Sequence, residues 1–199
     1  MKHVRPEAEC RALLRHWFTD QGDPESAALH GARVAALASA LGRALGIRDE
    51  DWLSSLWLGS AVHDIGKLAV PDSILRKPGR LTLAEWATVR LHPEWGALLV
   101  GRFGMPESVQ EMVRHHHEHW NGSGYPDGLA GEEIPLCARV VCVVDVYDAL
   151  TSDRCYRRAL TREQALEVMQ QESGTTLDPD IFRVFRESLL APAPMLAAS

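Results

Sequence analysis

Long apolar runs are missing from this 199-residue sequence: no window reaches the roughly eighteen apolar residues that a membrane-spanning helix needs. Lys2, Arg5, Glu7, Glu9, Arg11 and Arg15 break up the first twenty positions, so neither a membrane span nor a signal peptide is expected. A basic excess is missing too. With 21 Lys and Arg against 27 Asp and Glu the net charge is −6, a field that does not hold a nucleic-acid polymer by counterion release. Any anionic ligand must therefore be held by local cations. Cysteine is scarce: Cys10, Cys137, Cys142 and Cys155 form neither a CxxC pair nor a disulfide framework, which predicts packing thiols, a reducing compartment and a cytoplasmic location. Internal repeats and low-complexity tracts are absent as well.

What is present is an ordinary globular composition, 46% hydrophobic and 24% charged, in a length that suits one domain. The apolar spacing is helical almost throughout, so the expected class is all-α. A first helix is read at 7–19, and Asp23-Pro24-Glu25-Ser26 opens a second that runs to about Leu45 and is ended by Gly46. A third, from about Asp49, carries Trp52, Leu53, Leu56, Trp57 and Val62 at core-facing intervals. Pro71-Asp72 and Lys77-Pro78-Gly79 bracket an irregular connection, and Thr82 with Glu85 forms a capping box for a fourth helix. Pro93 bends or restarts the chain just after His92, and a further helix is expected at 107–117. Residues 118–135, with Gly122, Gly124, Gly128 and Gly131, form a loop too long to be a mere connector. Helices at Leu136–Leu150, at 162–172 and from Asp178-Pro179 to about Leu190 complete the pattern, before an Ala/Pro tail over 191–199.

Nine histidines are many for such a chain, and four lie between His115 and His119. His63-Asp64, an imidazole beside a carboxylate at a helix end, is a weak signal alone; a buried histidine next to a capping Asp looks the same. Its company strengthens it: His30 on the preceding helix, His92 before a proline, His116-His117 at a helix end, and Asp145 inside the apolar run 139–150. A carboxylate is rarely buried unless it is paired or bound to metal. Imidazoles and carboxylates together suit first-row divalent ions, and more than four such ligands imply more than one ion.

HDIGK (63–67), HHE (116–118), NGSGYP (121–126) and DVYDALTSDRCYR (145–157) together resemble the HD-GYP family in residues, order and spacing over about residues 24–186. The resemblance implies an HD-superfamily helical bundle with additional helices and a GYP loop: an N-terminal extension at 1–23, a catalytic domain at 24–190 and a flexible tail at 191–199. It implies a binuclear site whose ligands are His30, His63, Asp64, His92, His116, His117 and Asp145. The ions would be iron or manganese, with zinc or nickel as alternatives. Asp64 and Lys67 are the implied catalytic groups; Lys67, Tyr125, Arg154 and Arg157 are the implied contacts to substrate. Asp148, three residues after Asp145 and on nearly the same helical face, is expected to contact the substrate or orient a ligand, with a structural cap or pair as the alternative. His115 and His119 are extra to the pattern and are expected in solvent.

The implied activity is hydrolysis of the cyclic dinucleotide c-di-GMP to linear 5′-pGpG, with onward cutting to GMP as an extension, by a hydroxide shared between two metals. The alternatives are a phosphohydrolase for another nucleotide such as cyclic GMP-AMP, and a non-catalytic module that senses c-di-GMP. The implied partners are c-di-GMP itself and a second copy or a signalling protein, with no membrane and no nucleic-acid polymer. Members with a third metal carry a Glu one turn before the first histidine. Ser26 stands there in this chain, with Glu25 about 100° away around the helix, so two ions are expected.

Overall fold

A computed structural model describes residues 24–153 and 158–190, with side chains from Leu29 onward. The helix expected at 7–19, the tail, Arg154 and Arg157 lie outside the described residues, as do the side chains of Glu25 and Ser26.

Nine α-helices occur among the described residues: α1 Pro24–Ala44, α2 Glu50–Val62, α3 Asp72–Leu75, α4 Leu83–Val89, α5 His92–Arg102, α6 Glu107–His115, α7 Leu136–Thr151, α8 Arg162–Glu172 and α9 Pro179–Leu190. Two 3-10 turns, Ile65–Ala69 and Gly131–Glu133, interrupt the connections, and no strand is found among these residues. The all-α expectation holds.

Local chemistry sets most boundaries. Gly46, at φ 88°, ends α1 in a left-handed turn open to glycine at no steric cost. The Asp49 carboxylate caps α2 by accepting from the Asp51 and Trp52 amides. Thr82 and Glu85 make the expected reciprocal box on α4, and Thr161 with Gln164 does the same for α8. Pro93 sits in the first turn of α5, where its missing N–H costs nothing. The connection after Pro71 departs from expectation by forming one short helix, α3. Helix α6 stops at His115, two residues before the expected end.

Helix α7 is the axis of the larger core. Val140, Val141, Val143 and Val144 are fully buried, a stretch too continuous for a helix with one wet face. Val34, Ala38 and Leu41 from α1, Leu56 from α2, Leu166 and Met169 from α8, and Ile181, Phe182 and Phe185 from α9 close around it. Each full side-chain burial contributes about 1.5–3 kcal/mol before conformational entropy is set against it. A second cluster joins Val62 and Ile65 to Val100 of α5, Val109 and Val113 of α6, and Met105 between those helices. Cys137 and Cys142 are free and buried in the larger core, as packing thiols should be.

Two glycines allow the approaches that position the histidines. A Cβ on Gly31 would lie 2.6 Å from the Ala61 carbonyl oxygen, so only glycine lets α1 cross α2 this closely. A Cβ on Gly66 would lie 1.8 Å from the His92 carbonyl oxygen, so the glycine of HDIGK seats the 3-10 turn against the start of α5.

Candidate metal centre

These contacts gather six residues from four places in the chain. His30 comes from α1, His63 and Asp64 from the end of α2, His92 from the start of α5, and His116 and His117 from just past α6. Their rings form a continuous series: His30 to His63 at 5.2 Å between centroids, His63 to His116 at 5.1 Å, His116 to His117 at 4.2 Å and His117 to His92 at 5.0 Å. The donor atoms fall into two groups of metal-binding dimensions, Asp64 with His92, His116 and His117, and Asp64 with His30 and His63. Asp145, from α7, adjoins the second, its Oδ1 3.3 Å from His30 Nε2 and 3.7 Å from His63 Nε2.

Asp64 belongs to both groups through different oxygens. Oδ1 lies 3.2 Å from His92 Nε2 and 3.8 Å from His116 Nε2. Oδ2 lies 3.6 Å from His63 Nε2 and 4.0 Å from His30 Nε2, and the Lys67 ammonium pairs with it. The carboxylate thus reaches toward one imidazole group with each oxygen.

The imidazoles are aimed from behind. His63, His92 and His116 each place Nδ1 on the carbonyl three residues earlier, of Ser60 at 2.8 Å, Val89 at 2.8 Å and Val113 at 2.7 Å. Nδ1–H donation of this kind leaves the Nε2 lone pair facing the centre. His30 is held by a carboxylate instead: Nδ1 lies 2.7 Å from Asp148 Oδ2, and Arg33 grips both Asp148 oxygens. His30 and Arg33 on α1, and Asp145 and Asp148 on α7, are two i, i+3 pairs that face each other. Asp148 is almost fully buried behind His30.

Electrostatics match this division. Burial alone would lower the His30 pKa, but Asp145 and Asp148 outweigh it and raise it to about 9. Burial lowers His63 to about 4, against the pull of Asp64 and Asp145. Burial also drives His117 well below the ordinary range, with His116 adding to the effect. Burial opposes the ionised form of Asp64, yet Lys67 and His63 hold its carboxyl well below the usual value. His63 Nε2 and Asp64 Oδ1 are buried without a hydrogen-bond partner. Buried polar atoms left in that state cost about 1–3 kcal/mol each, and both are donor atoms for a cation, so the residues fit divalent metal.

The GYP loop is tied to this cluster. Tyr125 N–H donates to the His117 carbonyl at 3.1 Å, and the Tyr125 ring stacks on the His117 imidazole at 4.9 Å. Glu118, fully buried, accepts from the Asp127 and Gly128 amides at 2.7 and 3.0 Å. The third residue of HHE therefore braces the loop, a role its spacing did not announce. His115 corrects an expectation: it is buried, not solvated, with Nε2 2.9 Å from Asp127 Oδ2 on the face away from the cluster. His119 is half-buried and meets the Ser123 hydroxyl at 3.0 Å. Arg33 and Glu118 were missed by sequence reasoning; the facing i, i+3 pairs were the available signal for Arg33.

Comparison with known proteins follows the same lines. The HD domain family matches residues 22–181. A cyclic di-GMP phosphodiesterase of Pseudomonas aeruginosa is 44% identical over 158 residues, covering 79% of this chain and 38% of that protein. The 3′3′-cGAMP-specific phosphodiesterase 3 of Vibrio cholerae is 36% identical over 183 residues, covering 91% and 39%. The chain thus spans about two fifths of the length of these relatives. Among solved structures, an HD-GYP protein of Bdellovibrio bacteriovorus superposes with a TM-score of 0.69 at 22% identity, covering 94% of this chain and 62% of that one, a likeness of fold. The chain belongs to the HD domain family, in its HD-GYP branch.

Proposed function

We propose that residues 24–190 form a metal-dependent phosphodiesterase that opens c-di-GMP to linear 5′-pGpG, in the cytoplasm. The observation that carries this reading is Asp64, whose two oxygens each face a separate group of imidazoles. His30, His63, Asp64 and Asp145 would hold one divalent ion, and Asp64, His92, His116 and His117 the other, iron or manganese being the best matched. When bound, such a pair supplies Lewis acidity that neutralises phosphate charge and acidifies water.

The chain's own groups supply the rest. Lys67, a third exposed, reaches from Asp64 toward incoming phosphate and donates to a non-bridging oxygen. Asp148 and Arg33 fix the orientation of the His30 ring, and a cation would take the place of the proton that Asp145 and Asp148 keep on it. The Tyr125 hydroxyl stays neutral, its pKa raised by burial first, which suits a donor to substrate. Water oxygen bonds to phosphorus as the bond to the 3′-oxygen breaks, and the departing alkoxide takes a proton. Arg154 and Arg157 remain proposed phosphate contacts. Free, buried Cys137 and Cys142 support the cytoplasmic location.

A second reading, 3′3′-cGAMP as preferred substrate, is favoured by the Vibrio cholerae relative that aligns over 91% of this chain. Incubation of iron- or manganese-loaded protein with each cyclic dinucleotide, with products separated by chromatography, tests both. Release of pGpG from c-di-GMP is expected. No turnover of either compound would refute the proposal.

A further inference from the structure

Beside the metal cluster, α4 and the GYP loop enclose a groove of about 410 Å³ lined by Leu83, Trp86, Arg90, Leu91, Tyr125 and Pro126, among others. Its walls include apolar side chains left in water, Trp86 at 48% exposure and Leu83 at 90%, together with the Glu94 carboxylate. Arg90, one turn after Trp86, lays its guanidinium over the Tyr125 ring, 4.5 Å from the centroid. Among the described residues Arg90 makes no ion pair, so its donor fork is uncommitted. The Tyr125 ring also stacks on His117, so the groove adjoins the metal cluster through that ring. The backbone links them as well, because Val89, just before Arg90, accepts from His92.

An exposed indole beside a planar, unpaired cation has the chemistry of a purine subsite. Aromatic faces stack on bases without regard to sequence, whereas an arginine fork donates to the O6 and N7 acceptors that guanine presents side by side. Adenine offers an amino donor in place of O6, which the fork cannot use. We propose that Trp86, Arg90 and Tyr125 form a guanine subsite that holds one base of the cyclic dinucleotide next to the metal cluster, with Arg90 setting the preference for guanine over adenine. This inference rests on the phosphodiesterase reading and names the residue that selects its substrate.

The test is the ratio of kcat/KM for c-di-GMP over c-di-AMP, which has no guanine to offer the subsite, together with equilibrium binding of both, in wild type, Arg90→Gln and Trp86→Ala. Metal content is measured on every sample. Glutamine pairs with the N6 and N7 edge of adenine, so Arg90→Gln is expected to lower the ratio by roughly 5- to 150-fold at unchanged metal content. Trp86→Ala is expected to raise KM for both compounds and leave the ratio unmoved. An unchanged ratio in Arg90→Gln overturns the subsite and leaves the phosphodiesterase reading standing. If wild type turns over neither compound, the phosphodiesterase reading fails, and the binding ratio then decides the subsite alone: a shift in Arg90→Gln upholds it, equal affinities refute it.

Discussion

His30, His63 and Asp145 stand on one side of Asp64, and His92, His116 and His117 on the other, and only the first side holds a histidine aimed by a carboxylate in place of a main-chain carbonyl. On the second side, His92 and His116 are sealed from solvent and aimed by main-chain carbonyls of their own helical turns. On the first, His63 is buried and aimed in the same way by Ser60, but His30 and Asp145 remain about one fifth exposed, and His30 is aimed by a carboxylate from another helix. A carbonyl three residues back is fixed once the local turn forms. An aspartate on α7 is fixed only once α1 and α7 have docked. The aim of His63, His92 and His116 is thus a product of local structure, whereas that of His30 depends on tertiary packing and on charge.

The largest expected effect comes from the residue the sides share. Asp64→Ala should strip both ions and lower phosphodiesterase turnover by at least about 1,000-fold, roughly 4 kcal/mol of barrier. Metal analysis and rate together check this, and loss of one ion only would break the symmetry argued for Asp64. Asp148→Asn should act on one side alone. It weakens one metal equivalent by about 10- to 100-fold in a titration and spares the other. Equal weakening of both equivalents would mean that the sides are not separately supported.

The same contrast has a pH signature in metal-stripped protein. Protonated His30, with its pKa raised from 6.5 to about 9, contributes stability that is complete below pH 6.5 and is lost as pH rises through 9. His63, lowered to about 4, does the reverse: its contribution is complete above pH 6.5 and is lost as pH falls toward 4. Denaturation midpoints should therefore fall away on both sides of about pH 6.5. Steady stabilisation from pH 7 to 9 would contradict the state assigned to His30. Glu118→Ala should cost about 1–3 kcal/mol by orphaning two loop amides, and a urea titration reads it. That loss should leave both metal equivalents in place, because the brace lies outside either side.

Much of this was legible in the chain itself. Asp49, Thr82 with Glu85, and Pro93 announced their helix ends because caps are local chemistry. That the seven residues now found together around Asp64 belong together was legible from residue type and the HD-GYP motif order. Arg33 and Glu118 were not, because their partners lie 115 residues away and across a loop, and nothing in spacing reports such a meeting. His115 was misjudged for a related reason: its burial depends on Asp127 folding back over α6. Helix α3 is a single turn, too short for periodicity to register.

Anomalous diffraction from crystals of manganese-loaded protein tests the central claim most directly. Two peaks per chain are expected, one touching Asp64 Oδ1 among His92, His116 and His117, the other touching Asp64 Oδ2 among His30, His63 and Asp145. A single peak, or a pair of which Asp64 contacts only one, would contradict it.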